Sequence, residues 1–452
     1  MKHPLPLSQW LNPTRPDETC IAWLGTREWQ LGELRHDVVT LMQALHAQPG
    51  TRWALCFENS YLFVVALLAT LHAGKVPVIP GHCRVSLLNE QQDLFDGILS
   101  EASLDCAGPQ IVVSARSAST STHGHDITPS PIAADSVIEL FTSGSTGQPK
   151  KIIKPVALLD AEAQMLHTRF EQRLDGCRVV ASVVPQHLYG LTFRIFLPMA
   201  CGMPLHASML YYAEQLSALP AEHRYVFISS PAFLKRLDAN LIPPPVSMLL
   251  SAGGMLPWKE VKETQSWLKV WLDEIYGSTE TGVIAWRQRI DNGTSWQLFP
   301  GVTLRAEDDE WRLLSPLLND EQGLLLDDMI ELVDDGFRLA GRRGRVVKIE
   351  EKRVSLSEIE QRLMTLEGIE DAVALPVSRG GRQGIGVVLV LTESARQQWQ
   401  ANGGKAQEQA WRLALMPWLE SVAVPRYWRV LDEIPVNSMN KRVYAQLQEL
   451  FS

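Results

Sequence analysis

Cross-links, metal clusters and membrane spans find little support in this sequence. Only six of its 452 residues are cysteine, and neighbouring cysteines stand at least 23 residues apart. No Cys-x-x-Cys or Cys-x-x-His pairing occurs, which argues against a zinc knot or a disulfide framework and for scattered thiols in a reducing compartment. Long apolar runs are also missing. The longest, Tyr61–Leu71, is too short to span a bilayer and reads instead as a buried helix capped by Asn59 or Ser60. Met1-Lys2-His3-Pro4 lacks the apolar core of a signal peptide, so a soluble, cytoplasmic protein is expected. Net positive charge is absent as well. The formal charge is −9, where a nucleic-acid protein would usually carry a basic face. Neither internal repeats nor a coiled-coil pattern is found.

What is present is an alternation of short apolar strands and helical patterns over the first two thirds of the chain. Arg52–Phe57, Val76–Ile79, Val179–Val184, Tyr225–Ser229 and Ser247–Leu250 read as strands. Tyr61–Gly74, Leu191–Met199 and Pro231–Asp238 read as helices. This order predicts an α/β fold with mostly parallel sheets flanked by helices, whose ligands gather at loops leaving the carboxyl ends of strands. Near residue 340 the composition turns rich in glycine and arginine. Beyond it, helices Ser357–Leu366 and Gln407–Leu415 and strands Ala372–Pro376, Ile385–Leu391 and Tyr427–Leu431 suit a small α+β domain. The expected organisation is therefore a core over 1–341, a hinge near 342–344 and a mobile C-terminal domain over 345–452.

One stretch carries most of the chemistry. After the apolar run Val137–Phe141 come Thr142-Ser143-Gly144-Ser145-Thr146-Gly147-Gln148-Pro149-Lys150. A strand that empties into glycines and hydroxyls brings backbone N–H groups and side-chain donors against an anion, most often phosphate. The Walker spacing is not met: Pro149 stands where a second glycine should, and Lys150 is followed by Lys151.

Further landmarks follow this loop in order. They include Pro185-Gln186-His187-Leu188-Tyr189-Gly190, Ser251-Ala252-Gly253-Gly254, Tyr276-Gly277-Ser278-Thr279-Glu280, Asp327-Asp328, Gly341-Arg342 and Pro435-Val436-Asn437-Ser438-Met439-Asn440-Lys441. Together they resemble the adenylate-forming superfamily of acyl-CoA synthetases, non-ribosomal peptide adenylation domains and luciferases, over nearly the whole chain. The resemblance implies ATP- and Mg²⁺-dependent activation of an aromatic or medium-chain carboxylic acid. The acyl group would then pass to a phosphopantetheine thiol on an acyl carrier protein or CoA.

The roles implied for residues are specific. Thr142, Ser143, Gly144, Ser145, Thr146, Gly147 and Lys150 would hold the β- and γ-phosphates, and Ser251, Ala252 and Gly253, with Tyr276 and Gly277, would line the nucleotide. Thr279 would contact the α-phosphate and Glu280 would hold Mg²⁺, a hard cation that prefers oxygen. Asp328, favoured over Asp327, would accept from the ribose hydroxyls, with Arg342 beside it. Lys441 would bridge carboxylate and α-phosphate, and His187 would gate the acyl pocket. Plainer readings exist for several: His187 as a structural histidine, Lys441 as a surface lysine, and the Arg342–Lys348 cluster as a solvated face.

Three positions depart from the family pattern. Gly344 replaces a charged hinge residue, Glu351 a glycine near the pantetheine arm, and Asn440 the glycine before the final lysine. Glu351 tilts the expected acceptor toward a carrier protein. Amino-acid adenylation, or a non-catalytic nucleotide-binding member of the fold, are the competing readings. Oligomeric state is not legible.

Overall fold

The computed structural model describes residues 3–115, 129–143, 149–308, 310–342, 345–349, 352–379, 382–401, 403–436 and 442–451. The chain divides into two compact units, Met1–Thr303 with Leu314–Gly323, and Leu304–Leu313 with Leu324–Ser452. Residue 342, the start of the expected hinge, lies inside the second unit, and 343–344 lie outside the described residues.

In chain order the strands of the first unit are β1 (Cys20–Leu24), β2 (Arg27–Gln30), β3 (Arg52–Cys56), β4 (Val76–Ile79), β5 (Gly97–Ser100), β6 (Gln110–Val112), β7 (Val137–Ser143) and β8 (Pro149–Pro155). They continue with β9 (Cys177–Ala181), β10 (Leu205–His206), β11 (Arg224–Ser229), β12 (Val246–Ser251), β13 (Leu272–Ser278), β14 (Gly282–Gln288) and β15 (Gln297–Leu298). A nine-stranded sheet runs β15-β14-β13-β12-β11-β9-β10-β1-β2, and a six-stranded sheet runs β6-β5-β3-β4-β7-β8. In the first, the pairs from β13 through β1 are parallel and both flanks are antiparallel. In the second, only β7 with β8 is antiparallel, and β8 is an edge. The expected α/β fold with mostly parallel sheets is therefore present.

Helix Ser60–His72 ties the two sheets together. It packs on β3 and β4 of one and on β1 and β10 of the other. Every one of its residues is buried, as its uniformly apolar circumference requires. Its start is fixed by Asn59, whose side-chain oxygen accepts from the amides of Tyr61 and Leu62. Each fully buried Leu, Val or Phe here contributes roughly 1.5–3 kcal/mol relative to exposure, so the helix is a main source of cohesion.

The helix expected over Leu191–Met199 is present but mixed in type, and one other expectation needs correction. Leu191–Met199 is not a single α-helix: Leu191–Phe196 is π-helical and Leu197–Cys201 resumes α geometry. The apolar run marks a buried helix, but its side chains do not distinguish i→i+4 from i→i+5 bonding. The helix expected over Pro231–Asp238 ends at Leu234. Leu237 reaches the same core cluster from outside the helix.

The second unit contains helices Leu356–Leu363, Glu393–Ala401 and Lys405–Leu415 around small sheets. Two strands, Asp328–Val333 and Gly336–Arg342, form an antiparallel hairpin. Strand Ile369–Arg379 pairs with Arg382–Leu391, which pairs in parallel with Tyr427–Leu431. The α+β character expected for this part of the chain is seen, with the polar helix Glu393–Ala401 added.

At the N-terminus, Asp160 accepts a hydrogen bond from the Leu7 amide at 2.9 Å. Burial pushes its carboxyl up to about 6, against the pull of that amide. The folded state thus favours the protonated acid, and the stability it contributes is lost as pH rises from 3.8 toward 6. Asp160→Asn keeps the acceptor without the charge. It should raise the unfolding free energy by about 1 kcal/mol above pH 6 after discounting for solvent screening, with no gain below pH 4. Chemical denaturation of the two proteins at pH 4 and pH 7 checks this.

Candidate active site

The strands on either side of the expected phosphate loop are paired. Strand β7 runs to Ser143, two residues past the apolar run, and pairs with β8 so that Thr142 faces Lys150 and Ser143 faces Pro149. The backbones of Thr142 and Ser143 therefore enter the loop in fixed register, and Lys150 leaves it in register too. Gly144, Ser145, Thr146 and Gly147 lie outside the described residues.

A second strand pair brings Thr279 and Glu280 to the same place. Strands β13 and β14 are antiparallel, with Ser278 paired to Gly282, so residues 279–281 form a three-residue turn. Ser278 and Thr281 lock it. The Thr281 hydroxyl accepts from the Ser278 amide at 3.0 Å and donates to the Gly282 carbonyl at 2.8 Å, while the Ser278 hydroxyl accepts from the Thr281 amide at 3.2 Å. Gly277 is obligatory: a Cβ there would stand 2.2 Å from the Gly282 carbonyl oxygen.

The two strand pairs meet through charge. Lys150 Nζ donates to Glu280 Oε1 at 2.6 Å across 130 residues of sequence. Buried Lys154, also on β8, donates to the Glu280 carbonyl at 2.9 Å. Burial pushes the Glu280 carboxyl up, but the Lys150 ammonium, backbone donation and the Ser278 hydroxyl outweigh it, and the group sits below the ordinary glutamate range. An anionic Glu280 is thus held beside two lysines.

Underneath lies Glu162, which the sequence reading missed. From helix Val156–Leu174 it accepts from the Thr192 hydroxyl and from the Val283 amide, both at 2.7 Å. Burial pushes the Glu162 carboxyl up and the Lys154 ammonium down, each restrained by attraction to the other. Glu162 therefore joins the π-helical segment to the Glu280 hairpin. The one local signal is its place on the apolar stripe with Leu159, Ala163 and Leu166; its partners lie 30 and 121 residues away.

Ser251 ends β12 between Ser229 of β11 and Glu274 of β13. Ala252 and Gly253 follow at that carboxyl edge, with Gly253 exposed, so this loop and the Tyr276–Glu280 segment leave adjacent strands. Tyr276 is buried, its ring 5.8 Å from that of Trp296. A buried triad, also missed, holds the Ser251 loop. Glu274 pairs with Arg287 at 2.5 Å and Arg289 at 2.9 Å, and Arg289 reaches the Leu256 carbonyl at 3.3 Å.

His187 is half-buried and precedes the short helix Leu188–Gly190. It stands against Gly81, where a Cβ would be 3.8 Å from its Cε1 and 2.8 Å from the Phe141 carbonyl, so it lies near the exit of β7. In the second unit, Asp328 and Arg342 are cross-strand partners. Asp328 is half-buried and Asp327 exposed. Lys441, Gly344, Glu351 and Asn440 lie outside the described residues.

Among the described residues no group of three or more His, Cys, Asp or Glu forms a metal cage. Glu280 nevertheless fits Mg²⁺, which commonly takes one or two carboxylates and completes its shell with phosphate oxygens and water. Also among the described residues, no helix is long and apolar enough to cross a membrane.

The sequence pattern of the family described as AMP-binding enzyme matches residues 83–325, more than half of the chain. The chain belongs to the AMP-binding enzyme family. This AMP-binding enzyme is 26% identical over 83% of its length to Nonribosomal peptide synthetase 8 of Aspergillus fumigatus, of which it spans 5%. It is 20% identical to the 3,4-dihydroxybenzoate–[aryl-carrier protein] ligase of Bacillus anthracis, with 90% of the chain and 93% of that protein covered. Its fold matches ATP-bound MatB from Rhodopseudomonas palustris with a TM-score of 0.80 at 18% identity, covering 99% of this chain and 98% of that one.

Proposed function

We propose that this AMP-binding enzyme activates a carboxylic acid with ATP as an acyl-adenylate and transfers the acyl group to a phosphopantetheine thiol. In the first step a carboxylate oxygen attacks the α-phosphorus and the bond to the bridging oxygen of pyrophosphate breaks. In the second, the thiolate sulfur attacks the acyl carbon and AMP leaves with the bonding electrons. The observation that carries the reading is the 2.6 Å contact of Lys150 with Glu280. It joins a cation and a carboxylate carried by two pairs of antiparallel strands, an arrangement suited to neutralise and orient a triphosphate.

In this reading Lys150 and the Thr142–Gly147 loop take the leaving pyrophosphate. Thr279 donates to the α-phosphate, and bound Mg²⁺, held by Glu280, supplies charge neutralisation. Asp328 and Arg342 hold the ribose. Lys441 would bridge the carboxylate and the α-phosphate, from a C-terminal domain hinged near 342–344. The similarity to a carrier-protein ligase of nearly the same length supports an aryl acid and a carrier protein, with CoA the other acceptor. Similarity to a non-ribosomal peptide synthetase favours amino-acid activation as the second reading.

Acid-dependent ATP–pyrophosphate exchange with aryl, medium-chain and amino acids separates the two. Aryl acids are expected to support exchange, and Lys441→Ala to lower it at least a hundredfold. Absence of exchange with every acid would refute the enzymatic reading, and exchange unaffected by Lys441→Ala would refute the role given to Lys441.

A further inference from the structure

The residue after the expected hinge and the residue after the proposed catalytic lysine share one carboxylate. Arg345 follows 342–344 in sequence, and Arg442 follows Lys441. Glu360, on helix Leu356–Leu363, pairs with Arg345 and lies 3.7 Å from Arg442. It also accepts from the Ala374 amide at 2.8 Å. Arg345 donates to the Ala374 carbonyl at 2.9 Å and lies 4.8 Å from the centre of the Tyr444 ring. Arg442 donates to the Ala372 carbonyl at 2.8 Å and pairs with Asp371 at 2.5 Å.

Each contact fixes backbone as well as charge. Strand Ile369–Arg379 is buried through Ala372–Leu375, so its carbonyls at 372 and 374 are rigid acceptors. Arg442 is bridged to Val436, and the Val443 amide donates to the Pro435 carbonyl at 3.0 Å. The chain is thus tied just beyond Lys441. Glu360 itself is mostly buried, with its charge met by two arginines and an amide. Removing one partner of such a group leaves the others uncompensated, so the loss is felt at both ends.

We infer that Glu360 is a positioning residue for adenylate formation, coupling the Arg345 segment to the Arg442 segment and so restraining the chain at 442–443, next to the proposed catalytic lysine. The inference rests on the assignment of Lys441 as the residue acting at the α-phosphate. A misplacement of about 1 Å in a reacting group costs on the order of 10²-fold in rate, so loosening this anchor should be visible kinetically. The groups proposed to bind the triphosphate, Thr142–Gly147, Lys150, Thr279 and Glu280, belong to the first unit, whereas Arg345, Glu360 and Arg442 belong to the second.

The test uses the full chain with Glu360→Gln, Arg442→Gln and the double variant. Two readouts are taken: kcat and KM in pyrophosphate exchange, and amide hydrogen exchange at Arg442 and Val443. Each single variant should lower kcat at least tenfold with KM for ATP within about twofold. The double variant should be no slower than the worse single one, and amide exchange at 442–443 should rise at least tenfold in all three. Glu360→Asp, which keeps the charge, should recover part of the rate.

Unchanged amide exchange in the single variants would overturn the inference whatever the activity. So would raised amide exchange with an unaffected kcat, or kcat losses that multiply in the double variant. A wild-type protein without pyrophosphate exchange, in which the variants still loosen 442–443, would instead refute the functional reading and leave the mechanical coupling standing.

Discussion

Glu280→Gln should lower the rate of pyrophosphate exchange by two orders of magnitude or more while leaving the unfolding midpoint nearly unchanged. Glutamine keeps the length of the side chain and a carbonyl acceptor, but removes the negative charge that suits a hard divalent cation. Loss of one preorganised charge-stabilising group in a transition state commonly costs on the order of 10²–10³ in rate. The effect on folding is small for a different reason. The Lys150 side chain is 57% exposed and that of Glu280 35%, and a pair so open to water contributes about 0–1 kcal/mol.

The split between activity and stability is the diagnostic. Because the folded protein holds the Glu280 carboxyl below its ordinary value, the ion pair persists above the usual glutamate range and is lost as pH falls through that depressed value. Kinetics with Glu280→Gln alongside a thermal melt checks both halves. A variant that keeps activity within threefold would remove Glu280 from the site.

Glu274→Ala should have the opposite signature, destabilising the fold by about 3–5 kcal/mol, because it strands two arginines without their counter-charge. Arg289 is essentially inaccessible and Arg287 nearly so, with side-chain exposures of 1% and 12%. Burial lowers the Arg287 pKa and Glu274 raises it again; deleting the carboxylate leaves only the penalty. Against a total stability of about 5–15 kcal/mol, such a loss should also cut the yield of folded protein. Replacing all three charges together with apolar residues of similar volume should recover most of the stability, since a buried pair often fares no better than good packing. Denaturant titration of the single and triple variants decides. A triple variant as weak as Glu274→Ala would mean that Arg289 matters for the Leu256 carbonyl rather than for Glu274.

Sequence pattern revealed the elements that local chemistry determines. The β7 run, the Asn59 cap, and the Ser251 and Tyr276 segments at strand ends are all legible in windows of a few residues. That Arg342 stands beside Asp328 was legible only through resemblance. What escaped is held by distant partners. Glu162 lies on the buried face of its helix with Leu159, Ala163 and Leu166, but its partner Val283 is 121 residues on. The hairpin pairing of β7 with β8 was invisible because Pro149–Pro155 is mostly lysine and proline, a poor strand by composition. Helix Glu393–Ala401 has a single buried residue, Ala395, and so carries almost no apolar signature.

The composition of β8 has a second consequence, for solubility. An edge strand presents unpaired N–H and C=O groups on which another chain could add a strand, and proteins blunt such edges with lysine and proline. Proline at both ends of β8 removes two donors. Between them, exposed Lys150 and Lys151 flank a strand whose Ile153 is half exposed, and a second copy laid alongside would have to bring these lysines together. The lysine proposed to face a triphosphate, Lys150, is thus also one of those that keep the open side from recruiting another copy.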